Sequence, residues 1–176
     1  MSDFDIIVLV GDVMKIKKLI MGVFGIISLL TAIVLLIILT IPTAKEKTFS
    51  FNSTYNDKNV TLKASLYEAN EAKYAALICP GYSCDREKWR PVSDLLVKKG
   101  ITTMTFDYAG QGASSSTIGF DNAKTDAIPK EIDDAIVELQ RRTGIDDKHI
   151  ILMGHSMGGM VAANYATAHS DKVDRV

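Results

Sequence analysis

A chain of 176 residues is long enough to bury one sizeable core. Its 20 Lys and Arg against 21 Asp and Glu leave a net charge of -1, so there is no basic field to recruit nucleic acid. Two cysteines, Cys79 and Cys84, are too few for a disulfide framework and lack zinc-finger spacing. Cys79 reads as a buried strand residue, with a local bridge to Cys84 as the alternative.

From Leu19 to Ile41 runs an uncharged, apolar stretch of 23 residues. As a helix rising about 1.5 Å per residue it covers roughly 34 Å, enough to cross a hydrocarbon core of about 30 Å. Lys15, Lys17 and Lys18 precede it and Lys45, Glu46 and Lys47 follow, a bias that places the amino terminus in the cytoplasm. The expected organisation is a short cytoplasmic tail over 1–18, a transmembrane anchor over 19–41, and a membrane-tethered domain over 45–176 on the extracytoplasmic side. A cleaved signal peptide is the competing reading. Its apolar region normally spans only about 7–15 residues and ends in small residues, which Pro42-Thr43-Ala44 match poorly. A buried core helix fits worse still, because every face of the run is apolar.

Beyond Pro42 the composition becomes mixed. Thr48 to Phe51 and Val60 to Leu66 alternate at period two around Asn56-Asp57-Lys58-Asn59, the pattern of an antiparallel hairpin. Ala75 to Cys79 is a continuous apolar run stopped by Pro80-Gly81, as expected of a strand buried on both faces. Residues 87–99 have helical spacing, with Trp89, Val92, Leu95 and Leu96 on one side and Gly100 at the end. Ile101 to Phe106 is the next buried strand. Residues 122–142 form a helix whose apolar stripe is Ile128, Ile132, Ala135, Ile136 and Leu139, with Pro129 near the start of its regular part. His149 to Met153 is a third buried strand and Met157 to Ala168 a third helix. Buried strands alternating with helices imply crossovers and a mostly parallel sheet, so the fold class is α/β.

Gly154-His155-Ser156-Met157-Gly158-Gly159 carries the chemistry. A serine hydroxyl is a weak nucleophile until it is presented on an open turn beside a base. The pattern G-x-S-x-G achieves that presentation between a strand and a helix. The flanking glycines, Gly154 and Gly158, leave room that a Cβ would fill. Chance alone gives this pentapeptide in roughly six chains of this length per hundred, so its setting between a buried strand and a small-residue helix supplies the weight. A phosphate-cradling turn is the bland alternative, and it lacks both the G-x-G-x-x-G spacing and the P-loop lysine.

With two further segments, this hexapeptide resembles the α/β-hydrolase superfamily, in particular its esterase, lysophospholipase and serine-aminopeptidase-like members. Cys79-Pro80-Gly81-Tyr82 is similar to the family's His-Gly-x loop after the third strand. Asp107 to Ser114 is similar to the D-x-R-G-x-G-x-S loop after the fourth. The match covers about 46–176, the amino-terminal half of that fold. It implies that Ser156 is the nucleophile and that the backbone N–H groups of Tyr82 and Met157 form the oxyanion hole. Pro80 stands where the family has histidine, and Ala109 where it has arginine. The implied activity is hydrolysis of a carboxylic ester or related acyl compound, without metal or organic cofactor. The expected partner is a small-molecule or lipid-like acyl substrate, the anchor pointing to a lipid-like or cell-envelope one.

The family's chain order is serine, acid, histidine, yet only twenty residues follow Ser156. His149 sits at the opposite end of the strand, roughly 20 Å from Ser156 at about 3.3 Å per residue. His169 sits at the far end of the helix, again roughly 20 Å away at about 1.5 Å per residue. His155 is too close along the chain for its ring to reach the hydroxyl. None of Asp85, Asp107 and Asp126, which precede the nucleophile, fits the role of triad acid. The expectation is a fragment, inactive by itself, whose third buried strand is an unpaired apolar edge. A non-catalytic membrane protein keeping a truncated hydrolase fold is the alternative.

Overall fold

The computed structural model describes residues 3–40, 44–55, 58–114 and 128–176. The chain divides into two units, 1–42 and 43–176. The first is a single helix, α1 (Asp3–Thr40). Its stretch Lys17–Leu36 is long and apolar enough to cross a membrane, and its side chains are not buried against protein. Ile41, the last residue of the expected span, lies outside the described residues. The helix continues unbroken upstream of the lysines, so the expected tail is helical from Asp3.

The second unit is built on a five-stranded sheet in the order β1-β2-β4-β3-β5. The strands are β1 (Glu46–Tyr55), β2 (Lys58–Tyr67), β3 (Tyr74–Cys79), β4 (Ile101–Phe106) and β5 (Ile150–Gly154). The β1–β2 and β2–β4 pairs are antiparallel, while β3 pairs in parallel with β4 and with β5. Only β2 therefore runs against the others, and the sheet is mostly parallel. The hairpin is longer than its clearest alternation suggests, because Glu46 pairs with Tyr67 at one end and Tyr55 with Lys58 at the other.

Helices α2 (Arg90–Lys98), α3 (Ile128–Thr143) and α4 (Met157–Ala168) follow β3, β4 and β5. Ile128, Ile132, Ala135, Ile136 and Leu139 of α3 are all buried, as their spacing requires. The stretch 122–127, expected to begin this helix, lies outside the described residues. In α2 the expected stripe holds in part: Trp89, Val92 and Leu96 are half-buried, but Leu95 is 63% exposed and Ser93 is the buried residue of the helix. A 3-10 turn over Arg86–Trp89 precedes the helix, and Pro91 sits in its first turn, where a missing N–H costs nothing.

Ala75 to Cys79 are fully buried, and Leu62, Leu66, Met104, Phe106 and Leu152 fill the same core. The outer edge of β5 is not bare, contrary to expectation. Asp174 N–H donates to Ile150 O at 2.8 Å, and Leu152 N–H donates to Arg175 O at 2.9 Å, a parallel bridge that satisfies part of that edge.

Candidate active site

The register of the sheet builds the site. Cys79, the last residue of β3, lies beside Gly154, the last of β5. The turns leaving these two strands must therefore meet at the carboxyl end of the sheet. They do: a Cβ on Gly81 would stand 3.1 Å from His155 O and 3.6 Å from Ser156 Cβ.

Ser156 occupies φ 56, ψ -125 as the residue just before α4. An L-residue with positive φ holds backbone strain of about 1–3 kcal/mol, which persists only where packing enforces it. The packing here is backbone against backbone. A Cβ at Gly154 would fall 2.4 Å from Gly158 C and O, and one at Gly158 would fall 2.1 Å from Cys79 O. Gly158 N–H closes the turn onto His155 O at 3.0 Å, and Met160 N–H reaches Ser156 O at 3.1 Å. The Ser156 side chain is left exposed at the tip. Met157 opens α4, where first-turn N–H groups have no acceptor within the helix and face whatever stands before it.

The turn after β3 is closed by Cys84 N–H on Gly81 O at 3.2 Å, with Tyr82 and Ser83 at its centre. Ser83 takes φ 53, the left-handed position that a turn of this kind demands. Tyr82 thus stands next to Gly81, itself against Ser156. The sequence-derived residues Ser156, Tyr82, Met157, Gly154 and Gly158 are brought to one end of the sheet.

Sequence reasoning missed the pair that joins this turn to the loop after β4. Asp107 is fully buried, and its carboxylate accepts from Arg86 Nη1 at 2.7 Å, Arg86 N at 2.6 Å and Ala113 N at 2.9 Å. Ser114 Oγ donates to Asp107 O at 2.6 Å. Gly112 closes over the carboxylate, where a Cβ would come within 2.4 Å of it. Arg86 is 7% exposed and also donates from Nε to Ser65 Oγ at 3.2 Å. With its oxygens engaged in this way, Asp107 is a structural residue.

Glu131 of α3 is the second missed group. It is 1% exposed and accepts the Ala109 N–H at 3.1 Å, tying the helix to the loop after β4. Burial lifts its carboxyl from an ordinary 4.5 to about 7, against the lowering effect of that N–H and with a smaller push from Asp134. Between these two values the unfolded chain is ionised while the folded carboxyl keeps its proton. Stability therefore falls as pH rises from about 4.5 to about 7, by on the order of 3 kcal/mol, and is then constant. Glu131→Gln keeps an acceptor for Ala109 and removes the charge. Its thermal unfolding should match the parent near pH 5 and exceed it near pH 8, and parallel pH profiles would refute this account.

The histidines stand apart from the serine hydroxyl or beside it in the chain. His149 precedes β5, with Nδ1 2.6 Å from Asp146 Oδ1. His169 closes α4, stacked on Tyr165 at 4.3 Å with Nδ1 3.1 Å from the Tyr165 carbonyl. The ring of His155 lies toward Gly81. Cys79 and Cys84 are both free thiols; burial pushes the Cys79 thiol up to about 12, so it is no nucleophile. Among the described residues no group of three or more His, Cys, Asp and Glu is placed to hold a metal ion.

An α/β-hydrolase-fold family model matches residues 75–176, more than half of the chain, and the chain belongs to that family. No curated protein matches the sequence. Among solved structures it is similar to the α/β hydrolase GrgF of Penicillium sp. sh18, at 24% identity and a TM-score of 0.63 over 73% of this chain and 43% of that one. It is also similar to the esterase Pf2001 of Pyrococcus furiosus, at 22% identity and a TM-score of 0.59 over 72% of this chain and 49% of that one. A soluble variant of the monoglyceride lipase of Saccharomyces cerevisiae, solved with a substrate analogue, aligns at 20% identity and a TM-score of 0.56, over 76% and 44%. The chain thus spans less than half the length of each of these structures.

Proposed function

We propose that this chain carries the nucleophile and oxyanion hole of a membrane-tethered serine hydrolase acting on a carboxylic ester or related acyl substrate. The observation that carries the reading is Ser156, exposed at positive φ between β5 and α4 with the Gly81–Tyr82 turn against it. Ser156 Oγ attacks the carbonyl carbon, forming a C–O bond as the carbonyl electrons move to oxygen. The N–H groups of Tyr82 and Met157 stabilise that oxyanion, at about 3 kcal/mol each by analogy with measured oxyanion donors. Collapse expels the alcohol and leaves an acyl-serine, which water then cleaves. The Ser156 proton passes to a histidine–carboxylate pair and on to the leaving alcohol; among the described residues no such pair stands beside Ser156. The apolar stretch of α1 is the anchor, with the preceding lysines cytoplasmic and the hydrolase unit extracytoplasmic.

The absence of a base among the three histidines favours one competing reading, a non-catalytic member of the family. A fluorophosphonate probe applied to the protein in its native membranes separates the two. The expected result is label on the peptide containing Ser156, lost in Ser156→Ala. Label that survives the substitution, or an intact protein that takes none, rejects the catalytic reading.

A further inference from the structure

The two parallel crossovers of the sheet run in opposite directions. From β3 the chain steps to β4, towards β1, and from β4 it returns past β3 to β5. Such crossovers keep one hand, so α2 covers one face of the sheet and α3 the other. The side chains of β1, which alternate between the faces, agree. Glu46 Oε2 accepts from Arg90 Nη1 of α2 at 2.7 Å, whereas Ser53 Oγ donates to Asp134 of α3 at 2.7 Å. Helix α4 shares the α3 face, where Tyr165 Oη donates to Asp133 at 2.8 Å.

The chain enters this unit on the α2 face. Ala44 N–H donates to the Asp94 carboxylate of α2 at 2.8 Å, and Arg90 Nη2 donates to Ala44 O at 3.5 Å. Only Pro42 and Thr43 separate Ala44 from Ile41, where the apolar stretch ends. At about 3.5 Å per residue, Ala44 stays within roughly 10 Å of that end. The outer side of α2 suits a bilayer as neighbour. Pro91 and Leu95, one turn apart, are both exposed, Leu95 at 63%. The carboxylates around them are engaged, Glu87 by Arg86 at 3.3 Å and Asp94 by Ala44. Lys98 and Lys99 are exposed and have no ion pair among the described residues. On the far face the charges of α3 pair with one another, Lys130 with Asp134, and Arg141 and Arg142 with Glu138.

We propose that the outer side of α2 docks on the membrane surface, with Pro91 and Leu95 at the headgroup–acyl boundary and Lys98 and Lys99 on anionic headgroups. The proposal rests on the anchor reading of the apolar stretch. Two apolar side chains and two lysines hold a free domain weakly. The short tether makes docking intramolecular, at an effective concentration of about a millimolar, so a weak patch suffices. The sheet then lies along the bilayer, with α3 and α4 on the side away from it. Ser156, at the carboxyl end of the sheet, opens sideways along the headgroups, and an acyl ester reaches it by moving along the membrane surface.

The test puts one nitroxide at a time on the full chain in bilayer nanodiscs containing about a third phosphatidylserine. The sites are Leu95→Cys, Val137→Cys on the far face and Leu30→Cys in the apolar stretch, each with Cys84→Ser; all three positions are more than half exposed and Cys79 is buried. Collision with oxygen, which concentrates in lipid, is compared with collision with a water-soluble nickel chelate. Labels at 30 and 95 should favour oxygen, and the label at 137 nickel. Lys98→Ala with Lys99→Ala should lower the docked-to-free ratio at 95 about 30-fold, each lysine at an anionic surface being worth about a factor of five. A label at 95 as open to nickel as that at 137, or a ratio that the lysine pair leaves unmoved, overturns the proposal. So does a label at 95 shielded from both reagents, which marks a protein partner there. Should Leu95→Cys not fold, Pro91→Cys carries the label with the same outcomes. Water at 30 rejects the anchor reading and the docking with it, whereas lipid at 30 with water at 95 rejects the docking alone.

Discussion

Gly158→Ala is expected to destroy the folded state or force the strand-to-helix bend open. The added carbon would stand 2.1 Å from Cys79 O and 2.4 Å from Pro80 O, and both are backbone atoms at the end of a fully buried strand. A flexible neighbour could step aside, but these cannot move without breaking the β3–β5 pairing. The cost is on the order of 3 kcal/mol or more, at or above the upper end of measured overpacking penalties. Against a usual total of about 5–15 kcal/mol, that leaves a domain marginally folded at best. Chemical denaturation of the 1–176 chain in micelles measures it. A midpoint within error of the parent would show that the helix is not held this close to β3. Gly159→Ala is the control, since a Cβ there meets Gly154 O at 3.3 Å and needs only a small adjustment.

Asp107→Ala should rank next, with a loss of about 3–5 kcal/mol, because removing one partner leaves a buried guanidinium without its counter-charge. The same substitution strips an acceptor from two backbone N–H groups, those of Arg86 and Ala113. Pairing it with Arg86→Met separates these contributions. If the stranded charge dominates, the double variant is more stable than Asp107→Ala alone; if the backbone N–H groups dominate, it is no better. A single Asp107→Ala variant that melts with the parent would mean that water reaches this pair.

Much of the fold was legible in the sequence because its signals are local. β3 and β5 are apolar runs and β4 a run of threonine and apolar residues, each stopped by a turn or loop, and their observed limits fall within a residue of the sequence reading. Helix α4 begins and ends where the small residues after Ser156 place it. The side of α2 that packs inward was legible at Trp89, Val92 and Leu96 but not at its edge, where spacing alone does not rank the buried Ser93 above the exposed Leu95. Arg86 itself hides in a run of four charged residues, Asp85 to Lys88, that reads as solvated surface. Its burial depends on where the loop after β4 arrives, a fact of register between strands distant in sequence. Glu131 was missed although its signal is local. It lies between Ile128 and Ala135 on the apolar stripe of α3, and a lone acid at such a position signals a buried carboxyl with a partner elsewhere.

The salt bridge between Arg86 and Asp107 has a bearing on how this family member can be redesigned. It makes the two loops a single module, because each supplies half of a buried ion pair. Grafting a specificity loop from a relative into one position alone would orphan a charge and lose the scaffold before any new selectivity could be read. Libraries that vary both loops together, with the pair held fixed or exchanged as a unit, are the ones that would return folded clones.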